Sequence, residues 1–319
     1  MAVLPLIFLL FLSILNPSGP STAYAENAAW ESYILGGDKA TEGGDFLKAE
    51  EMYKSALAEG DKEDSYGYHV AIAYTRLGAL YKGQKEYTRA EVAFTRAISM
   101  LERTLGPDHP ELAKILDDMI NIYVNLSSPA GYITAEAISY RVLAIREKSL
   151  GPAHVDVADS LDNLALLVYF PFGHLAQGEP LLQRALAIRE KVLGPDHSKV
   201  AVSLSTLAFL YDAQGKYEKA EPFYKRALAI FEKNPGPDSP EVLQTLYFLG
   251  MIHMNEKKYA QAEVFFKRRL SGLEKLRGFE HPDVAEALQI YSWLLWSMDR
   301  EEEAKALGGR AKAIREKSH

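Results

Sequence analysis

The chain has 319 residues, with 43 acidic against 36 basic side chains, a net charge of −7, and no cysteine. Without cysteine there are no disulfides, thiolate zinc sites, iron–sulfur clusters or cysteine nucleophiles, and the acidic excess argues against a generic nucleic-acid binder. Hydrophobic residues make up 48%, enough for packed helices.

Ala2 to Leu15 is apolar apart from Pro5 and Ser13, and Ala23-Tyr24-Ala25 supplies an A-x-A cleavage signature before Glu26. Residues 1–25 therefore read as a secretory signal peptide. No Lys or Arg precedes the apolar run, so a misplaced start or an uncleaved N-terminal anchor is the alternative. The run is shorter than the ~20 residues that span a bilayer. An exported protein, periplasmic or secreted, with no membrane span after cleavage is expected.

From residue 26 onward the apolar positions fall on helical stripes that return pair after pair. Tyr33, Gly37, Ala49, Tyr53 and Ala56 mark a short first pair. Tyr74, Leu77, Gly78, Tyr81, Ala90 and Phe94 mark the second, and Leu116, Met119, Tyr123 and Ala135 the third. Leu161, Leu164, Ala165 and Ala185 follow. The fifth is the most regular, with Leu204, Leu207, Ala208 and Tyr211 on one helix and Ala220, Tyr224, Ala227 and Phe231 on the next. Leu246, Leu249, Gly250, Ala262 and Phe266 give a sixth, and Leu288, Tyr291, Ala304 and Ala311 a seventh. The repeats run roughly over 27–62, 66–105, 108–150, 153–193, 196–235, 238–277 and 280–317.

Between pairs a phrase recurs: LGPDHP at Leu105–Pro110, LGPAH at Leu150–His154, LGPDH at Leu193–His197, PGPDSP at Pro235–Pro240 and RGFEHP at Arg277–Pro282. Its glycines, Gly106, Gly151, Gly194, Gly236 and Gly278, are 45, 43, 42 and 42 residues apart, a period that means stacked units instead of one globular core. The phrase reads as punctuation. Gly106 suits the left-handed residue after a helix, Pro107 prevents continuation, and Asp108 can cap the next helix with Glu111 as a capping box. The competing reading makes His109, His154, His197 and His281 metal ligands. Stacked helices are about 8–10 Å apart, whereas zinc ligands all lie about 2 Å from the ion, so one metal cannot collect them. No metal and no cofactor is expected.

Two interruptions account for the longer spacings. Ser127 to Tyr132 adds three residues to the turn inside the third pair, and Tyr169-Phe170-Pro171-Phe172-Gly173-His174 adds one inside the fourth. The second stretch reads as aromatic packing on the neighbouring repeat that compensates for Gly178, or as a knob for a partner.

The spacing of small and large residues resembles the tetratricopeptide repeat, and the ~42-residue period with its GPDHP link resembles the kinesin-light-chain type of that repeat. The resemblance implies an all-α fold, an α-solenoid superhelix of about seven antiparallel helix pairs, and a protein or peptide partner. It also implies that the first helix of each pair lines a concave face. Positions one and five residues after the Leu204-type residue then look into a groove: Asp117 and Asn121, Asp162 and Leu166, Ser205 and Phe209, Tyr247 and Met251, Gln289 and Trp293. One turn later come Asn125, Asp212, Met254 and Trp296. The groove is expected to be acidic and amide-rich in its middle and aromatic and Met-rich at its C-terminal end, with Asp117, Asn121, Asp162, Phe209, Tyr247, Met251, Met254, Trp293 and Trp296 as partner-binding residues.

The basic clamp that some tetratricopeptide co-chaperones use for a C-terminal carboxylate is not found, since only Arg76 and Lys114 occupy the early concave positions and Asp117 and Asp118 face them. The motor-binding coiled coil of kinesin light chains is absent too. Second helices carry Arg141, Arg146, Arg184, Arg189, Arg226, Arg268 and Arg269, which read as complements to helix C-termini or as a basic convex stripe. No GxGxxG, GxxxxGK, HExxH or GxSxG motif occurs, so no catalytic residues are assigned and an enzyme is not expected. The leading expectation is a non-enzymatic scaffold or adaptor, monomeric or weakly oligomeric. A structural or assembly protein of the cell envelope and an accessory subunit of an envelope enzyme complex are the alternatives.

Overall fold

A computed structural model describes residues 20–60 and 67–317. The apolar run read as an export signal lies outside the described residues. Among the described residues all regular structure is helical, in seven antiparallel pairs: α1 (Pro20–Glu42) with α2 (Phe46–Gly60), α3 (Gly67–Gly83) with α4 (Tyr87–Leu105), α5 (Pro110–Asn125) with α6 (Pro129–Leu150), α7 (Val155–Asn163) with α8 (Leu175–Leu193), α9 (Ser198–Ala213) with α10 (Tyr217–Lys233), α11 (Pro240–Asn255) with α12 (Tyr259–Arg277), and α13 (Pro282–Trp296) with α14 (Glu301–Lys317). No described helix is long and apolar enough to cross a membrane.

The chain divides into two compact units, Met1–Ile145 and Arg146–His319. Within the second, each second helix packs on the first helix of the following pair, and one hydrophobic core runs from Ala165 to Ile314. Leu161, Leu204, Leu246 and Leu288 occupy the same register in successive pairs and are fully enclosed. Each such leucine contributes about 1.5–3 kcal/mol of transfer free energy. Close approach inside a pair depends on a small residue opposite an aromatic. A Cβ on Gly78 would lie 2.6 Å from the Phe94 ring in the first unit, and one on Gly250 would lie 2.4 Å from Phe266 in the second.

The recurrent phrase stops and starts helices, with two differences from expectation. Gly106, Gly194 and Gly278 take φ near +90° with ψ near +160°, a region open to glycine alone and distinct from the left-handed helical one. The cap is the histidine and not the aspartate. His109, His154, His197 and His281 stand at the extended N-cap position, and each Nδ1 accepts the backbone N–H two residues on, at 3.1–3.4 Å. In the PGPDSP copy the Ser239 hydroxyl does this work for Val242. A cap must sit immediately before the first helical residue, which the proline or its equivalent fixes one place later than Asp108.

The extra residues enter helices instead of turns. Those of the third pair lengthen α6 to 22 residues against 19 in α4 and α8. The one in the fourth pair becomes a π-helical turn, Leu164–Tyr169, followed by a 3₁₀ turn, Phe170–Phe172. A π turn is how a helix absorbs a single inserted residue while keeping both flanks in register.

Two polar ladders link successive pairs within each unit. In one, a second-helix arginine reaches back to a glutamate near the end of the preceding second helix and to a carbonyl in the phrase that follows it. Arg141 bonds Glu102 and the Pro107 carbonyl in the first unit. In the second unit Arg184 bonds Glu147 and Pro152, Arg226 bonds Glu190 and Pro195, and Arg310 pairs with Glu274 and the Phe279 carbonyl. Arg268 pairs with Glu232 in the same register. These cations are tied into the repeat joints, which accounts for their periodicity without a basic convex stripe. In the other ladder a first-helix tyrosine donates its hydroxyl to a glutamate of the preceding second helix: Tyr81 to Glu50 and Tyr123 to Glu91 in the first unit, Tyr211 to Glu179 and Tyr291 to Glu263 in the second.

Candidate functional site

In the second unit Val202, Ser205 and Thr206 of α9 border a cavity of about 360 Å³. Phe209, Phe231 and Phe248 supply its aromatic lining, and further rings back them. Phe209 stacks on Phe170 with ring centroids 5.0 Å apart, Phe248 of α11 lies 5.8 Å from Phe209, and Tyr224 stacks beneath Phe248 at 5.2 Å. Phe170, the first residue after the π turn, backs Phe209 from outside the lining. The hydroxyls of Thr206 and Thr245 bond carbonyls of their own helices, Val202 and Glu241. The Ser205 hydroxyl is buried without a partner, and Gln244 stands exposed at the rim. The cleft is therefore an apolar socket edged by a few hydrogen-bonding groups.

A second cavity of about 320 Å³ opens between α11, α12 and α13, bordered by Tyr247, Phe248, Leu273 and Glu286. Arg269 lies over the Tyr247 ring, 5.0 Å from its centroid, with Glu286 3.6 Å from its Nη2. Burial pulls the Arg269 pKa below its usual value, against the attraction of Glu286 and Tyr247.

Of the residues predicted from sequence, Phe209 lines the socket. Tyr247 borders the second cavity, while Met251 and Met254 are half-buried against the cluster built on Phe266, Tyr291 and Leu294. The methionines fill the joint between pairs, as a flexible side chain does in an irregular gap. Trp293 and Trp296 of α13 stay open, 54% and 45% exposed, with the Lys305 ammonium 5.9 Å above the Trp296 ring. The last helix leaves both about half exposed.

The acidic half differs more. Asp162 is tied to the buried Arg189 at 2.6 Å, beside Asp159 at 2.5 Å and the Ser203 hydroxyl at 2.5 Å. Burial raises the Asp162 pKa in spite of that pairing. A carboxylate committed to an internal guanidinium is not a docking point for a basic peptide, so Asp162 leaves the candidate set. Arg189, read from sequence as a helix-end cation, is instead the hub of this network. Asp117 and Asn121 belong to the first unit, whereas the socket belongs to the second, and the Asn121 and Asn125 amides bond the Asp117 and Asn121 carbonyls of their own helix. Arg76 pairs with Asp38 at 2.9 Å, consistent with the missing carboxylate clamp.

Thr206 and Phe248 were missed, whereas Phe170 belongs to the aromatic stretch already singled out in the sequence. Thr206 and Phe248 stand two residues after the Leu204-type position, 42 apart, so the same frame would have found them had that register been included.

Profiles described as tetratricopeptide repeat match residues 70–111, 167–233 and 241–317, together more than half of the chain. None of the curated proteins matches it. Among solved structures it is similar to BtubC from P. vanneervenii (20% identity, TM-score 0.60, 78% of this chain and 90% of that one). It is also similar to a putative kinesin light chain with nearly identical repeats from Podosopora anserina (22%, 0.59, 66% and 98%). A tetratricopeptide repeat protein from Parabacteroides merdae aligns over 90% of this chain and 93% of its own (16%, 0.58). At these identities the likeness is one of fold.

Proposed function

The chain belongs to the tetratricopeptide-repeat family, whose members generally serve as protein-interaction scaffolds, and from that premise we propose that this one is a non-enzymatic adaptor holding an extended segment of a partner protein. The observation that supports it is the socket between α9 and α11. An apolar cavity of about 360 Å³ lined by Phe209, Phe231 and Phe248 suits one large aliphatic or aromatic side chain, and the exposed Gln244 at its rim suits the main chain beside it. Trp293 and Trp296 extend exposed aromatic surface on the last pair of the same unit. The expected site is thus Phe209, Phe248, Gln244 and Trp293, with Asp162 removed. The apolar run and A-x-A signature ahead of Glu26 support a place outside the cytosol as part of the same reading.

Selection from a phage-displayed library of random linear peptides tests this. Selected peptides are expected to share an apolar anchor residue, and Phe209→Ala or Phe248→Ala is expected to weaken the best of them by about 2 kcal/mol, roughly thirtyfold, as for hot-spot aromatics. Asn121→Ala in the first unit is expected to leave affinity unchanged. Peptides without a common apolar residue, or equal losses at Phe209 and Asn121, would overturn the assignment.

A further inference from the structure

At the joint between α10 and α11 the tyrosine–glutamate ladder is interrupted. Where Tyr81, Tyr123 and Tyr211 stand in their pairs, α11 has His253, and the glutamate it faces on α10 is Glu221. A second change comes three residues on: Gln84 and Gln214 hold that register in other pairs, and here it is Glu256. The imidazole is 6% exposed, and neither carboxylate is within hydrogen-bonding distance of it. Nε2 is 3.6 Å from Glu221 and Nδ1 is 3.7 Å from Glu256. Nδ1 is buried without any hydrogen-bond partner. A buried polar nitrogen left unpaired between two carboxylates costs free energy that the tyrosine of the other joints does not.

We propose that Glu221, His253 and Glu256 form a binding site for a zinc-class divalent cation that bridges α10 and α11. One imidazole and two carboxylates can present donor atoms that all lie within 4.8 Å of one another. Donors held about 2.1 Å from a common ion stand roughly 3.4 Å apart in tetrahedral geometry, so small side-chain rotations close the set. The nitrogen donor favours zinc and its neighbours over magnesium or calcium, which take oxygen. Burial holds the His253 pKa below its ordinary value, so the ring is neutral and able to ligate at pH 7. Phe265 stacks on its face at 5.3 Å and fixes its plane.

Two ammonium groups complete the surroundings. Lys225 contacts Glu221 at 2.5 Å and Lys258 contacts Glu256 at 3.0 Å. Both side chains are about half exposed, 57% and 47%, so an arriving dication displaces them into water. Three protein ligands leave a position for water, and the ion takes over the joint-closing role that the tyrosine hydroxyl performs elsewhere. Phe248, which lines the socket, and Tyr224, which stacks on it, sit on the same two helices.

Titration of the metal-free full chain with Zn²⁺ by calorimetry, followed by Co²⁺ absorption, tests this independently of any peptide. One ion per chain is expected, with a tetrahedral or five-coordinate cobalt spectrum and a higher Tm on addition of Zn²⁺. His253→Tyr and Glu256→Gln install residues that the other repeats already use, so both are expected to fold. Each is expected to lower zinc affinity at least about tenfold, while His197→Ser, which alters only a capping histidine, is expected to leave it unchanged. Failure of the wild-type chain to bind zinc, or undiminished binding by both His253→Tyr and Glu256→Gln, would overturn the site.

Discussion

Arg189→Ala should be among the most damaging single changes in the second unit. The guanidinium is 6% exposed and holds Asp162, itself 16% exposed, together with Asp159 and the Ser203 hydroxyl. Removing it strands Asp162, one of whose oxygens is already buried without a partner. Breaking a buried pair in this way costs about 3–5 kcal/mol. For a unit of roughly 170 residues, at about 2–4 °C per kcal/mol, Tm is expected to fall by about 6–20 °C. The loss should depend on pH with a defined sign. Burial already raises the Asp162 pKa above the unfolded value near 3.9, and loss of the cation raises it further. The folded variant then takes up a proton before the unfolded chain does, so its deficit shrinks as pH falls from 7.5 toward 5. Urea unfolding followed by circular dichroism at the two pH values measures both quantities, and adding Asp162→Ala should recover part of the loss. A deficit below 1 kcal/mol, or one that grows on acidification, would refute the reasoning.

Three further outcomes are expected. Gly250→Ala should destabilise by about 1 kcal/mol, because the new Cβ meets Phe266 at 2.4 Å and overpacking outweighs the gain in helix propensity, whereas Gly309→Ala, with nothing within 4 Å, should stabilise by up to about 1 kcal/mol. Both are read from thermal melts, and the signs must be opposite. His197→Ala should cost about 1 kcal/mol through loss of the cap on Lys199 N–H, while His197→Ser should be nearly neutral, as Ser239 shows in its own pair. With metal removed by a chelator, the depressed His253 pKa means the unfolded chain is protonated first, so stability should decline as pH falls through about 6.5, and His253→Tyr should flatten that slope.

Helix content, pairing and joint positions were legible in the sequence because they rest on local periodicity. Apolar residues at i, i+3, i+4 and i+7, a glycine stop and a 42-residue return are visible without knowing what touches what. The frame also singled out Phe209, which lines the cavity beside α9. It did not separate Met251 from Phe248, which stand three residues apart on the same helix. Which of them lines a cavity depends on the depth of the joint behind it.

What the chain by itself determined is therefore the repeat and its punctuation, and what only the tertiary structure decided is the use made of each polar residue. Asp162 and Arg189 are 27 positions apart, Tyr211 and Glu179 are 32 apart, and Arg226 and Glu190 are 36 apart, so no local pattern pairs them. A carboxylate on a helix face looks the same in sequence whether it meets water, a guanidinium or an imidazole. Burial and the reach of a neighbouring side chain make the difference: they commit Asp162 to Arg189, turn the phrase histidines into caps, and leave His253 between two glutamates with no hydrogen bond.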